Sequence, residues 1–251
     1  MLEWPAPLCS TSRSGENVAQ STQQAKFCFR TLFASASTMQ HDLAAAQNQR
    51  LAGLDHAALE RRAQRVDGAR KHDEEVRHLE MALQVPPRSS KVVWLRKAAD
   101  SFSAALDRAK ASHCKVGCTA CCHDGVIVSD AEALMMANDL RLKAHAPKRH
   151  YAMRSVMQAD DPVRALSQLA DQERPVGACP FLKDSRCSIY AHRPLQCRLR
   201  QNLDTDDLLC QPVPGRARSA PSATTREHWE TLMASLGPDT VLADIRQWFK
   251  P

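Results

Sequence analysis

The sequence predicts a mainly α-helical protein, with a small helical domain built around a loop-rich cysteine metal cluster and an N-terminal helical extension. Strong helix formers fill long stretches, and no stretch shows the alternating pattern of a well-defined strand. Several of these stretches carry helix start and stop signals. Eight of the ten cysteines lie between Cys114 and Cys210, in segments rich in turn-forming residues.

Composition divides the chain into four predicted regions. Residues 1–38 are rich in Ser, Thr and Gln without lasting periodicity, which predicts a disordered leader. Residues 39–112 form the helical extension, and residues 113–212 form the cysteine-cluster domain. Residues 213–251 begin with a linker and continue into C-terminal helices that pack on the core. The leader contains Cys9 and Cys28, which we interpret as incidental thiols.

The helical pattern begins directly after Met39. We therefore expect Met39 to be the natural start of the protein and residues 1–38 to be an extension of it. The intact mass of the protein from its native host tests this hypothesis, and a mass that includes residues 1–38 would contradict it.

Apolar residues at helical spacing predict one or two helices over 42–83, with Gly53 or Gly68 as breaks, and a further helix over 90–113. The pair Pro86 and Pro87 separates the two stretches. The second helix leads directly to the first cysteine.

Local signals also predict the later helices. Ser129 and Glu132 form a capping-box pattern that opens a helix to about Lys143. Two further helices are predicted to start at Pro147 and at Asp161-Pro162, the second ending at Pro175. The remaining predicted helices are a short one beginning at Pro194, one over Thr225–Leu236 that Gly237-Pro238 closes, and one over Asp239–Phe249.

The cysteines fall into two groups. The first group has a C-x3-C-x2-C-C pattern, and the second follows a helical insert in a segment expected to be mostly turn, with Lys183-Asp184-Ser185 at its tip. A helix and a looser knuckle around Gly117 are both open for the first group. The candidate metal ligands are Cys114, Cys118, Cys121, Cys122, Cys179, Cys187, Cys197 and Cys210.

Grouped thiolates are soft, anionic ligands that select zinc, copper(I) or iron–sulfur clusters over magnesium or calcium. Ligands three or four residues apart reach one ion from a single turn of chain, and two such groups close a four-coordinate site. Adjacent Cys121 and Cys122 point in different directions, so they do not suit one ion as a chelating pair. Either one ligates and one packs, or the group serves more than one metal.

Three other interpretations of the cysteines stay open. Cysteine is often a small buried hydrophobe. Disulfides need an oxidising compartment, and the first twenty residues lack the pattern of a secretory signal. A catalytic thiol normally needs one or two cysteines in a basic niche rather than eight. We therefore favour metal ligation in a reducing cytoplasm.

Both cysteine segments resemble the YkgJ-type cysteine-cluster family, or CxxCxxCC family, a zinc- or iron-chelating domain. The resemblance covers about 100 residues and implies zinc, iron or an iron–sulfur cluster as cofactor. The two cysteine segments are also distantly similar to those of flagellin lysine N-methylases. Besides the first group, the resemblance rests on Cys179-Pro180-Phe181-Leu182, Cys187-Ser188-Ile189-Tyr190 and Arg193-Pro194-Leu195-Gln196-Cys197-Arg198.

Charged and basic neighbours of the cysteines suggest supporting roles. A metal with four thiolates carries net negative charge, so we expect Arg193 and Arg198 to donate hydrogen bonds to the ligands or to the turn around them. His113, His123 and His192 also lie near the cysteines and are candidates for ligation or for hydrogen bonding to a sulfur.

Several functions find no support in the sequence. There is no glycine-rich phosphate loop and no H-E-x-x-H. No apolar run approaches the roughly 18 residues of a membrane span. The net charge of +6 is not concentrated in any stretch, and the cysteine spacing differs from that of a zinc finger, which argues against a zinc-dependent nucleic-acid-binding module.

Two hypotheses from different classes remain. The first is a cytoplasmic metal-binding protein that holds zinc or iron for a structural, storage or handling role, without a known catalytic activity. The second is a modifying enzyme that depends on an iron–sulfur cluster, which the resemblance to lysine methylases implies. The sequence identifies no protein partner for either.

Overall fold

The structure is a computed structural model that describes residues 39–114, 118–173, 177–211, 213, 220–223 and 225–250. The chain divides into two compact units, 1–45 and 46–251. In the first unit residues 39–45 are helical, and the predicted leader with Cys9 and Cys28 lies outside the described residues. The following paragraphs concern the second unit. Among the described residues no helix is both long enough and apolar enough to cross a membrane.

The N-terminal half of this unit is helical, as predicted. Residues 46–52 form α1, and Gly53 ends it with its backbone N–H donating to the carbonyl of Gln49 at 3.0 Å. The predicted break at Gly53 is confirmed. A second break at residues 70–71 follows Gly68 by two residues, so the prediction of one or two helices over 42–83 is wrong and three are present. The three helices that follow α1 are α2 (His56–Ala69), α3 (His72–Gln84) and α4 (Arg88–Ala109).

The capping box is confirmed. The Ser129 hydroxyl accepts from the Glu132 N–H, and the Glu132 carboxylate accepts from the Ser129 N–H, which starts α5 (Asp130–Leu140). This helix ends three residues before Lys143 because Arg141 adopts the left-handed conformation, with φ of 54°.

The helix predicted to start at Pro147 is wrong. The chain first forms a short strand, β2 (Tyr151–Ala152), and only then α6 (Met153–Met157). Pairing with a distant strand draws this stretch into a sheet and overrides its local preference. The next helix, α7 (Pro162–Gln172), starts as predicted, with Asp161 as its cap and Pro162 at its first position, whereas Pro175 lies outside the described residues.

A three-stranded antiparallel sheet contradicts the prediction that the chain has no strong strand. Its order is β1 (Ile127–Ser129), β5 (Val241–Asp244) and β2. The helix predicted over Asp239–Phe249 is therefore wrong except for α10 (Ile245–Trp248). In β5 Leu242, Ala243 and Asp244 are all buried, so the alternation that marks a half-exposed strand is missing from the sequence.

The second cysteine segment contains a hairpin of β3 (Leu182–Lys183) and β4 (Arg186–Cys187), followed by α8 (Leu195–Leu199). Asp184 and Ser185 both have positive φ, which confirms the predicted loop tip. Pro194 caps α8, so the predicted short helix is confirmed with a shift of one residue. The last long helix is α9 (Arg226–Leu236), which Gly237 closes at a φ of 81°.

The sheet separates two hydrophobic cores. Along β1 and β5, Ile127 and Leu242 face a large core formed with α4, α7 and α9, whereas Val128 and Ala243 face a smaller one. In the smaller core Phe181 packs edge-to-face on Phe249, with ring centroids 5.2 Å apart. Three candidate ligands pack against this smaller core: Cys179, Cys187 and Cys197.

The arrangement of the two hydrophobic cores does not decide where the predicted domain boundaries lie, and these boundaries stay predictions. The helices before residue 112 share the large core with α8 and α9. The mainly α-helical class itself is confirmed, and the cysteines lie in its loop-rich parts.

Gly125 provides a test of this packing. A Cβ atom there would lie 2.2 Å from the carbonyl oxygen of Ala170 and 2.9 Å from the Cβ of Glu173, at the end of α7. We expect Gly125→Ala to lower the free energy of unfolding by about 1–3 kcal/mol, because backbone must shift. Gly68→Ala is the control, since a Cβ there meets nothing within 4 Å and favours the helix. Equal stability of the two variants in chemical denaturation would contradict this packing.

Candidate metal centre

The first cysteine segment forms a tight turn rather than an α-helix. Residues Ala120–His123 make one 3₁₀ turn that carries Cys121 and Cys122, and the Cys122 N–H donates to the carbonyl of Thr119 at 2.8 Å. At this end of the segment the α-helix that the sequence left open is not formed, whereas the looser turn predicted around Gly117 falls on residues 115–117, outside the described residues.

The second segment meets the first through the backbone. The Cys179 N–H donates to the carbonyl of Cys122 at 2.7 Å. The hairpin then brings Cys187 forward on β4, and α8 carries Cys197. At the start of α8 the Leu195 N–H donates to the Glu132 carboxylate at 2.8 Å, which connects the capping box of α5 to the helix with the cysteine.

Five of the predicted ligands gather where the segments meet. Cys122 makes a hydrogen bond with the thiol of Cys121 and interacts electrostatically with Cys179 and Cys187. Cys121 in turn interacts with Cys187 and Cys197. The adjacent pair of the first segment thus interacts electrostatically with each of Cys179, Cys187 and Cys197.

The other three predicted ligands lie toward the loop around residue 207. Cys118 interacts with Cys114, Cys121 and the carboxylate of Asp207. Cys210 is buried in the 3₁₀ turn Leu208–Cys210, and its N–H donates to the Asp207 carbonyl at 2.9 Å. Cys118 therefore links this outer set to the inner five through Cys121.

The thiols gather without closing a coordination sphere. In the described part of the chain, no three cysteine sulfurs lie within 4.8 Å of one another. Nor does the structure pair any of the eight described cysteines in a disulfide. Cys114 is exposed, Cys210 is buried and the others are half-buried. Side-chain rotations are needed to bring four sulfurs onto one ion.

The environment favours the protonated thiols in the absence of a metal. The hydrogen bond with Cys121, and burial after it, hold the pKa of Cys122 far above its ordinary value of 9.0. Burial also raises the pKa of Cys197, and neighbouring thiols add to this effect. A bound cation would reverse this preference, so binding would release protons and become tighter as the pH rises.

Arg246 holds the two segments together, and sequence reasoning missed it. Its guanidinium donates to the carbonyls of Cys122 at 2.9 Å, Asp124 at 3.1 Å and Ala178 at 3.2 Å. Asp244 fixes the guanidinium at 3.1 Å and accepts from the Val126 N–H at 2.8 Å. The sequence shows only that Asp244 and Arg246 stand two residues apart. Both lie in the segment that was predicted to be a helix.

Arg200, the residue that follows α8, supports the same turn. Its guanidinium donates to the Asp124 carboxylate at 3.0 Å and to the Gly125 carbonyl at 3.4 Å. The backbone between Cys122 and Gly125 is therefore held by two arginines from different parts of the chain.

The predicted arginine donors contact the turn before α8. Arg193 donates to the carbonyl of Tyr190 at 3.2 Å and stacks on its ring. Arg198 donates to the carbonyl of Arg193 at 2.8 Å and pairs with Asp100. Direct donation to a sulfur stays a prediction for both arginines.

The three candidate histidines have separate surroundings. His192 contacts Asp139 at 3.3 Å, the backbone N–H of His113 donates to the carbonyl of Asn202 at 2.9 Å, and His123 ends the 3₁₀ turn. Their roles as ligands stay predictions.

Residues 113–214, fewer than half of the chain, match the model of the CxxCxxCC family, described as "Putative zinc- or iron-chelating domain". The resemblance predicted from the two cysteine segments is confirmed over this range. No curated protein and no solved structure matches the chain. The similarity to flagellin lysine N-methylases stays a prediction.

Arg246 offers a direct test of how the centre is held. Lysine keeps the charge but loses the planar fork, whose three separate nitrogens reach three different carbonyls. We therefore expect Arg246→Lys to weaken metal retention by roughly 10-fold or more in a competitive chelator titration. Arg154→Lys is the control, because Arg154 pairs with the exposed Asp239 at the surface. Equal metal retention by the two variants would show that the hydrogen bonds of Arg246 do not support the metal centre.

Proposed function

We propose that the domain at residues 113–214 binds zinc or iron through cysteine thiolates and serves a structural, storage or handling role for the metal. The observation that carries the proposal is the position of Cys121, which interacts with Cys118 of its own segment and with Cys187 and Cys197 of the other. Two distant cysteine groups that fold onto each other form the donor set that these metals prefer. The match to a zinc- or iron-chelating family supports the same chemistry.

Eight thiols are enough for two four-thiolate sites, and we propose two metal ions rather than one. Cys122 interacts with Cys179 and Cys187, and Cys179 also influences Cys197. We assign these four cysteines to an inner site. The proposed outer site consists of Cys114, Cys118, Cys121 and Cys210.

This division gives the adjacent cysteines separate tasks. Cys121 and Cys122 are adjacent, so their side chains point in different directions and do not suit chelation of one ion. We therefore assign each of them to a different ion. Contacts of Cys121 with Cys187 and Cys197 place it at the border of the two sites, where its thiolate could bridge them.

Positive charge around the inner site favours the bound state. Arg193 acts on Cys187 and Cys197, Arg200 acts on Cys197, and Arg246 acts on Cys179, each in the direction that favours the thiolate. These charges are too weak to ionise the thiols alone, because the net pKa shift stays upward. They offset part of the negative charge that four thiolates leave on a divalent ion.

The same thiolates suit an iron–sulfur cluster, and the alternative function is a modifying enzyme that uses one. Absorption near 400 nm in anaerobically purified protein would favour this alternative, whereas a colourless protein that contains zinc would favour the first proposal. In either case the ligands must stay reduced, so a cytoplasmic location is part of the proposal.

Serine substitutions test the ligand assignment. We expect the cysteine domain of the wild-type chain to hold two metal ions, and Cys187→Ser and Cys118→Ser to lose one ion each from different sites, because a hydroxyl is a poor substitute for a thiolate. Elemental analysis of protein purified without oxygen measures this. Cys9→Ser and Cys28→Ser are the controls and should keep the full metal content.

The outcomes separate the parts of the proposal. Full metal content in both Cys187→Ser and Cys118→Ser would contradict the ligand assignment. A single ion in the wild-type chain, lost in both variants, would contradict only the division into two sites.

A further inference from the structure

A second cluster of metal-ligating side chains lies away from the cysteines, between α3 and the first turn of α9. It contains Glu75 of α3 and Glu227 and His228 of α9, with Arg70 beside them. Glu75 and His228 are 1% and 0% exposed. One ligand atom from each of Glu75, Glu227 and His228 lies within 4.8 Å of the other two, a spacing that no other set of three such residues reaches in the described ranges.

The imidazole of His228 is the least satisfied group of the cluster. Its Nε2 lies 3.1 Å from the Glu75 carboxylate and its Nδ1 lies 3.9 Å from that of Glu227. Nevertheless, neither nitrogen has a hydrogen-bond partner among the described residues. Nδ1 is too far from Glu227, and the Nε2 contact with Glu75 does not have the geometry of a hydrogen bond. A fully buried imidazole without a hydrogen bond is costly, and a ligand in the cluster would remove that cost.

Arg70 holds the two carboxylates of the cluster in place. It bridges them, donating to Glu75 at 2.6 Å and also to Glu227. Burial alone would raise the pKa of Glu75, but contacts with His228 and Arg70 outweigh it and hold the pKa below its ordinary value of 4.5.

We propose that Glu75, Glu227 and His228 bind a divalent cation through two carboxylate oxygens and one imidazole nitrogen. Oxygen and nitrogen donors of this kind suit manganese, ferrous iron or zinc, in contrast to the soft thiolates of the cysteine domain. Arg70 orients the carboxylates, as outer hydrogen-bond partners of metal ligands commonly do. Each carboxylate oxygen has two lone pairs, so accepting from Arg70 leaves room for a metal.

The position of the cluster is consistent with entry of an ion from solvent. The Glu227 side chain is 37% exposed and that of Arg70 is 10% exposed, whereas the Glu75 and His228 side chains are almost completely buried. An ion would therefore pass Glu227 first and then reach the imidazole. Once bound, it would connect α3 to α9 on the large core, independently of the cysteine domain.

Manganese is the probe that separates this site from the cysteines, because thiolates bind it poorly. Titration of the full-length protein with Mn²⁺, followed by the electron paramagnetic resonance signal of the free ion, should show one bound equivalent. Glu227→Gln keeps the size of the side chain and an acceptor for Arg70 but removes the ligand charge, and should weaken binding by 10-fold or more. Glu230→Gln is the control, since Glu230 lies one turn further along α9 and pairs with Arg226, at 3.4 Å.

Thermal melts of each variant show whether it is folded. Failure of the wild-type protein to bind Mn²⁺, or equal affinity in the wild type and Glu227→Gln, would overturn the site. Equal losses in Glu227→Gln and Glu230→Gln would also overturn it, because the effect would then come from the surface charge of α9. None of these outcomes depends on the metal content of the cysteine domain.

Discussion

The guanidinium of Arg246 joins the two cysteine segments, and the candidate metal centre depends on this contact. Turn-rich segments leave backbone carbonyls without partners from secondary structure, and such groups must be satisfied where they are half-buried. Arg246 supplies donors to the carbonyls of Cys122, Asp124 and Ala178, while Asp244 fixes its orientation. Because Arg246 lies in α10, two residues after the end of β5, the sheet helps to position its guanidinium where the cysteine segments meet.

The gathered thiols are held in the protonated form until a metal is bound. Half-buried thiols such as Cys122 and Cys197 resist ionisation, and each thiolate formed would disfavour the next. A bound cation attracts each thiolate and offsets the repulsion between them. Part of its binding free energy therefore becomes folding free energy. The apolar contacts of Cys179, Cys187 and Cys197 with the small core keep the segments together until that happens.

Features that depend on neighbouring residues were predictable from the sequence, whereas features that depend on distant residues were not. The Ser129 capping box, the break at Gly53 and the hairpin tip at Asp184 each follow from a few adjacent residues. Strand β5 was missed because its partners, β1 and β2, are supplied from far along the chain. The roles of Arg246 and His228 were missed for the same reason, since their contacts are made only in the folded chain.

X-ray absorption at the metal edge of anaerobically purified, full-length protein tests the central claim most directly. If the two cysteine segments enclose zinc or iron, the spectrum should show sulfur as the main neighbour of the metal, at about 2.3 Å for zinc. A metal surrounded only by nitrogen and oxygen, or a protein that retains no metal, would contradict the account.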